Sequence, residues 1–171
     1  GAPTVNRYLD YFIDAFLLYK AERYDVKGRK YIGSPLKYYF SDVGLRNARL
    51  NFRQQEENHI MENIIYNELC GRDFSVDVGG GRNSKKDAEK KSKRTQLEID
   101  FVANKGSKKY YIQSALTVAD EEKREQEIRS LKRVGDSFKK IVVVKDNIIP
   151  WHDDDGILYI GIEQFLLDET A

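Results

Sequence analysis

Residues 141–144 form an unbroken run of β-branched apolar residues, Ile-Val-Val-Val. Such a run is typical of a strand that is covered on both faces of its sheet. A sheet that contains such a strand needs a packing layer on each side, and helices can supply both layers. The run therefore predicts an α/β fold in which a central sheet lies between helices.

The chain from residue 58 onward supports this architecture. Helical periodicity alternates there with short segments that are apolar or that alternate between apolar and polar residues. The predicted helices cover residues 58–72, 120–134 and 162–168, and the predicted strands cover residues 74–78, 97–102, 110–116, 141–144 and 157–160. This order predicts an α/β sandwich with a mixed central sheet.

The first part of the chain has a different pattern. A helix is predicted over residues 4–19, and a hairpin over residues 22–32. A helix followed by a small hairpin is typical of the end of a winged-helix module. Because Pro35 then breaks the chain, we expect two units, residues 1–36 and residues 37–171.

Overall composition limits where the chain works and what it binds. Its net charge of +1 provides no global field, so nucleic acid would have to bind through a local basic patch. The single cysteine, Cys70, indicates a reducing compartment, and we expect a cytoplasmic protein. No apolar run approaches the roughly 20 residues of a membrane span, so no membrane partner is expected. The chain begins at Gly1, which suggests either a cleaved tag or an excised fragment of a longer protein.

The predicted hairpin over residues 97–116 has polar side chains on one face. In the first strand, successive side chains point to opposite faces of the sheet. Those expected on one face are Leu97, Ile99 and Phe101, and those expected on the other are Glu98, Asp100 and Val102.

These polar side chains suggest a metal site. Glu98 and Asp100 near Gln113 would gather the carboxylate and amide oxygens that Mg²⁺ prefers. Glu62 or Glu68 on the preceding helix would complete the set, and a metal-bound water there would hydrolyse a phosphodiester. The alternative is that the acidic pair belongs to the solvated face of a half-buried sheet.

Four segments of the chain occur in an order that resembles a known family. They are KYYFSDVGLRN at 37–47, ENIIYNEL at 62–69, EIDFV at 98–102 and YIQ at 111–113. Together they resemble the C-terminal domain of unknown function that follows the P-loop module in a family of bacterial and archaeal AAA-type ATPases. The resemblance covers about residues 4–168. It implies a restriction-endonuclease-like core, the PD-(D/E)XK fold, preceded by the end of the ATPase's winged helix.

The resemblance also implies a set of site residues. Active nucleases of that fold use a helix glutamate, a strand aspartate and an E/Q-x-K tripeptide. Glu62, Asp100 and Gln113 match the first three groups and would be the catalytic and magnesium-binding residues. Ala115 occupies the lysine position, so a degenerate site is expected, because that lysine orients or activates the attacking water and stabilises developing charge. The chain has no GxxxxGK[ST] motif, so ATP is expected only in an upstream module.

A strongly basic stretch lies just before the acidic strand. Residues 79–96 begin with three glycines and then carry seven Lys or Arg residues against two acidic ones, a local balance of +5. The stretch has no large apolar residue, so it is expected to be an exposed loop. A loop at residues 82–94 would contact phosphates, and the alternative is a solvated excursion between two strands. The nucleic-acid contacts expected there are Lys85, Lys86, Lys90, Lys91, Lys93 and Arg94.

The sequence leaves three functions open. The first is a nuclease-like C-terminal accessory domain of an AAA-type ATPase, with a degenerate site, that binds nucleic acid or a protein partner. The second is an active magnesium-dependent DNA or RNA nuclease. The third is a structural or homo-oligomerising domain without a ligand.

Overall fold

The computed structural model describes residues 2–53, 56–83 and 95–168. The helices in these ranges are α1 (Ala2–Asp14), α2 (Val43–Arg49), α3 (Glu57–Gly71), α4 (Glu121–Lys132) and α5 (Ile162–Leu167). The strands are β1 (Leu18–Asp25), β2 (Lys30–Phe40), β3 (Ser75–Asn83), β4 (Thr95–Lys105), β5 (Lys108–Ala115), β6 (Lys139–Val144), β7 (Trp151–His152) and β8 (Leu158–Gly161). None of the helices in the described ranges is long and apolar enough to cross a membrane.

These strands form one sheet in the order β2-β1-β3-β4-β5-β6-β8-β7. The pairs β1–β3, β5–β6 and β6–β8 are parallel, and the other neighbouring strands are antiparallel. Parallel neighbours need crossover connections. The connection between β1 and β3 contains α3, that between β5 and β6 contains α4, and that between β6 and β8 contains β7. The protein therefore has a mixed α/β fold with a large mixed sheet, as the sequence predicts.

Helices cover the sheet on both faces. Ile65 of α3 and Phe165 of α5 pack on one face, and Leu131 of α4 packs on the other. Residues 141–144 of β6 have no exposed surface, and their side chains alternate between the two cores. The prediction that this run is covered on both faces is confirmed.

The predicted hairpin near the start of the chain is present as β1 and β2, and it belongs to the main sheet. Residues 23–25 of β1 pair in parallel with residues 78–80 of β3. Strand β2 runs through the predicted boundary between residues 36 and 37. The division of the chain there and the winged-helix assignment stay predictions.

The first helix is shorter than predicted, and the prediction was wrong over residues 15–19. Phe16 adopts a left-handed conformation with φ of 57°. Its N–H donates to Ile13 O at 2.9 Å, and the Leu17 N–H donates to Phe12 O at 2.9 Å. This pair of hydrogen bonds closes a helix by the Schellman pattern. Because glycine usually occupies the left-handed position, a phenylalanine there gives no sequence signal of a helix end.

Candidate functional site

The candidate site lies where strands β4 and β5 stop pairing. Their antiparallel pairing runs from Lys105–Lys108 only as far as Phe101–Ile112. At the next position the Ser114 N–H donates to the Asp100 carboxylate, with 2.8 Å between N and Oδ2. Side chains thus replace the regular ladder where the strands separate. Such a separation leaves room between two central strands.

A β-bulge fixes how Asp100 is presented. Between the pairs Asp77–Val102 and Gly79–Ile99, one residue of β3 faces two residues of β4, Asp100 and Phe101. The extra residue reverses the alternation from that point onward. Ile99 and Val102 consequently pack in the core beneath α4, whereas Phe101 packs in the core beneath α3. The prediction that Ile99 and Phe101 share a face, with Val102 opposite them, was wrong.

Lys37 of β2 inserts its ammonium group among three carboxylates. Its Nζ lies 3.0 Å from Glu98 Oε1, 3.2 Å from Glu62 Oε2 and 3.9 Å from Asp100 Oδ1. Burial acts to lower the pKa of Lys37, but Glu62, Asp100 and Glu98 together raise it above its usual range. The lysine is therefore held as a cation at the centre of the acidic group.

Burial dominates the electrostatics of Asp100, which is only 7% exposed. Burial and the neighbouring Glu62 carboxylate raise the pKa of Asp100 to about 7, against the opposing effects of the Ser114 N–H and Lys37. A carboxyl group with such a pKa exchanges its proton near neutrality.

Glu98 is the most strongly paired carboxylate of the group. Arg23, a buried residue of β1, places Nη2 2.8 Å from Glu98 Oε2. Burial acts to raise the pKa of Glu98, but Lys37 and Arg23 hold it below its usual range. Glu98 is therefore an anion that joins β4 to both strands of the first hairpin.

The pocket beside these residues is lined by helices from both faces of the sheet. Asn58 and Glu62 line it from α3, and Gln126 and Glu127 line it from α4. Its volume is about 440 Å³. The strand residues that line it are Asp100, Gln113, Ser114, Ala115, Leu116 and Thr117. Glu62, Asp100 and Gln113 therefore line the same pocket, and their catalytic and metal-binding roles stay predictions.

Gln113 connects this pocket to α4. Its Oε1 accepts the Asp100 N–H at 3.4 Å. Burial raises the pKa of Glu127 on α4, and a hydrogen bond with Gln113 acts in the opposite direction. Gln113 of β5 therefore contacts both β4, through the Asp100 N–H, and α4, through Glu127.

The oxygen chemistry of this pocket suits Mg²⁺, but its arrangement does not. The Lys37 ammonium lies within 3.9 Å of all three carboxylates, and one Asp100 oxygen already accepts the Ser114 N–H. In residues 2–53, 56–83 and 95–168, no three His, Cys, Asp or Glu side chains are placed to hold a metal ion together. The residues as folded do not fit the magnesium ion that the sequence resemblance implies.

The other candidate residues lie elsewhere. Glu68 pairs with Arg72 at 2.7 Å and so does not join the pocket. The predicted nucleic-acid contacts Lys85, Lys86, Lys90, Lys91, Lys93 and Arg94 lie outside the described residues. Sequence reasoning missed Lys37, Arg23 and Glu127, which come from distant elements. The sequence offered one clue to Lys37, which is the first residue of the aromatic strand segment at 37–40.

The chain is similar to proteins whose descriptions name no activity. Residues 1–56 match a family model described as Domain of unknown function (DUF8612). The chain is also 33% identical over 164 residues to a Haemophilus influenzae protein described as an uncharacterized protein. That match covers 96% of this chain, which spans 37% of the relative's length. No solved structure matches the chain significantly.

Proposed function

We propose that this chain is a restriction-endonuclease-like domain with a degenerate catalytic pocket, which binds nucleic acid as an accessory domain of a larger protein. The observation that carries the proposal is the pocket at the β4–β5 split. Glu62, Asp100 and Gln113 line it together, and Ala115 lines it where an active nuclease of that fold carries lysine. The mixed sheet between helical layers supports the same fold.

The side chains of this pocket favour binding over cleavage. Phosphodiester hydrolysis needs an activated water and stabilisation of the charge that develops on the phosphate. Ala115 supplies neither of these functions. The ammonium of Lys37 is engaged with Glu62 and Glu98 at 3.2 and 3.0 Å, which makes it a counter-ion of the pocket.

The accessory role has two further supports. Residues 84–94 carry six Lys or Arg residues against two acidic ones, and they lead directly into the strand of Asp100. Cationic side chains of this kind bind phosphates with salt-dependent affinity. The Haemophilus relative extends well beyond the match, which leaves room for the AAA-type ATPase module that would bind ATP.

Nucleic-acid binding can be tested by fluorescence anisotropy with short labelled single-stranded and duplex DNA and RNA over a range of KCl concentrations. In the test variant, Asn-Gly replaces residues 84–94 and closes the β3–β4 hairpin with a two-residue turn. We expect the wild type to bind at low salt, and the variant to bind more weakly with a flatter salt dependence. The matched control replaces exposed lysines elsewhere, Lys20, Lys30 and Lys108, by Gln and should bind almost as well as the wild type.

The outcome separates nucleic-acid binding from a structural or protein-binding role. Equal binding by the wild type and the loop variant would sink the assignment of nucleic-acid contact to residues 84–94. Absence of binding to every nucleic acid at low salt would leave a protein partner or a structural role. Analytical ultracentrifugation would then decide whether the domain forms homo-oligomers.

The second candidate function is an active magnesium-dependent nuclease. The observation that favours it is Lys37, which would bring to the pocket the ammonium that Ala115 lacks. This candidate predicts that Mg²⁺ or Mn²⁺ supports cleavage of supercoiled plasmid, and that Asp100→Asn and Lys37→Met each abolish it. The degenerate pocket that we propose predicts no cleavage by any of these proteins.

A further inference from the structure

We propose that Lys37 takes the place of a divalent metal ion among Glu62, Glu98 and Asp100 beside the pocket, and that these carboxylates bind such an ion only when the lysine charge is removed. The inference rests on the degenerate pocket of the proposed function and not on nucleic-acid binding.

The ammonium of Lys37 lies among the three carboxylates. Lys37 Nζ lies 3.0 Å from a Glu98 oxygen and 3.2 Å from a Glu62 oxygen, both within hydrogen-bonding distance. The third carboxylate, that of Asp100, is 3.9 Å away and interacts electrostatically. A group bonded to two carboxylates and close to a third occupies the place that a metal ion would need.

The backbone and side chain of Lys37 are both held in place. Its backbone lies within β2, where it pairs with the buried Ala21 of β1. Its side chain is 30% exposed, which is low for a lysine. The strand pairing thus sets the ammonium beside Glu62 and Asp100, the two carboxylates that line the pocket.

Two cationic side chains already balance the negative charge of the acidic group. Arg23 already neutralises one oxygen of Glu98, and Lys37 supplies a second positive charge to the same group. A divalent ion among these carboxylates would lie against the ammonium and be repelled by it. When the lysine charge is removed, Glu62, Asp100 and Glu98 keep one positive neighbour, Arg23, and their side chains can rotate toward an added ion, whose charge replaces that of the ammonium.

Titration with Mn²⁺ tests this proposal in the chain of residues 1–171. Calorimetry measures binding directly, and the electron paramagnetic resonance signal of free Mn²⁺ measures it independently. We expect no saturable site in the wild type, and one Mn²⁺ per chain in Lys37→Met with an apparent affinity at least about tenfold above the weak, non-saturating binding of the wild type. Lys37→Arg keeps the charge and should behave as the wild type does. Lys20→Met is the matched control, because Lys20 also lies beside a glutamate, at 3.7 Å from Glu22, but on an exposed surface.

A second substitution locates the new site. The double variant Lys37→Met/Asp100→Asn should lose the Mn²⁺ binding gained by Lys37→Met. Lys37→Gln serves as a second neutral variant, and circular dichroism verifies that each variant is folded.

Three outcomes would overturn the proposal. These are a tight Mn²⁺ site in the wild type, a folded neutral variant that binds no Mn²⁺, or equal gains in Lys37→Met and Lys20→Met. The wild-type titration is informative even if a variant fails to fold. Loss of nucleic-acid binding in the anisotropy experiment would leave these results unaffected, so the two proposals fail separately.

Discussion

Asp100 makes the stability of the folded chain depend on pH. Its pKa is raised to about 7 by burial and by Glu62, whereas an aspartate in an unfolded chain titrates near about 4. The folded state therefore binds a proton more tightly than the unfolded state. The stabilisation from this proton is fully present below about pH 4 and is lost as the pH rises through about 7.

We expect Asp100→Asn to remove this dependence. The asparagine keeps an oxygen that accepts the Ser114 N–H, and it carries no charge to bury. The free energy of unfolding of the variant, relative to that of the wild type, should rise by about 2–4 kcal/mol between pH 4 and pH 8. Urea denaturation at both pH values measures this change. The low pKa of Glu98 works in the opposite direction, but it acts in both proteins.

Asp154→Asn is the matched control for this experiment, because Asp154 is an exposed aspartate of a turn. Its stability should follow that of the wild type at both pH values. If the curves of wild type and Asp100→Asn stay parallel from pH 4 to pH 8, Asp100 does not titrate in the folded state as its surroundings indicate.

The residues of the site were only partly predictable from the sequence. Glu62, Asp100 and Gln113 were found because local periodicity and a family resemblance place them on adjacent elements. Lys37 was missed as a site residue because it joins Glu62 and Glu98 from a strand separated from β4 by two others. Periodicity assigns a side chain to a face of its own strand, and it contains no information on which distant strand lies nearby.

At the scale of the element, the bulge in β4 depends on a glycine in the neighbouring strand. Gly79 of β3 pairs with Ile99 beside the bulge. A Cβ added at Gly79 would lie 2.8 Å from Ile99 Cβ, 3.0 Å from Val102 Cγ2 and 3.3 Å from Ile99 O. The close approach that lets Ile99 and Val102 share one face therefore requires glycine at this position.

We expect Gly79→Ala to destabilise the fold by about 1–3 kcal/mol, because the methyl group overlaps a packed side chain and nearby backbone. Thermal or urea denaturation measures the change. Gly33→Ala is the matched control, because Gly33 is an exposed strand glycine whose added Cβ would meet nothing within 4 Å. That control should change stability by no more than about 0.5 kcal/mol. Equal effects of the two substitutions would show that the bulge does not need Gly79.

The elements themselves were easier to predict than their irregularities. The helix predicted over residues 58–72 is α3, Glu57–Gly71, because its apolar face is periodic over several turns. The end of α1 and the bulge of β4 were missed for a common reason. In each case the residue type is not one that predicts the local backbone conformation. Phe16 adopts a left-handed conformation, and Asp100 lies in a bulge.

At the scale of the whole molecule, the fold class followed from the covering of residues 141–144 and the order of helices and strands. The strand order could not be predicted in the same way. Strand β1 lies between β2 and β3, with β3 distant in sequence and joined to it in parallel. No local pattern indicates that a hairpin at the start of the chain enters the sheet that bears the site.

The position of β1 predicts how the chain responds to truncation at residue 37, where the sequence suggested a domain boundary. Such a fragment lacks β1 and much of β2, so β3 becomes an unpaired edge strand. It also lacks Leu18 and Ala21, which are buried, and Arg23, which pairs with Glu98. Glu98, whose side chain is about one-third exposed, then keeps Lys37 as its partner, so the main loss in this fragment is the buried apolar surface and the strand pairing of β1.

We therefore expect the fragment of residues 37–171 to lack cooperative unfolding, and the fragment of residues 15–171 to retain it. The second fragment loses only α1, whose described side chains are mostly exposed, and keeps the whole sheet. Urea denaturation followed by circular dichroism and by the fluorescence of Trp151 compares both fragments with the full chain. The fragment of residues 37–171 could instead unfold cooperatively, with an m-value (the dependence of the free energy of unfolding on urea concentration) proportional to its size. The chain would then consist of two independent units. Absence of cooperative unfolding in that fragment, with a cooperative transition in residues 15–171, would place β1, β2 and the Asp100 pocket in one folding unit.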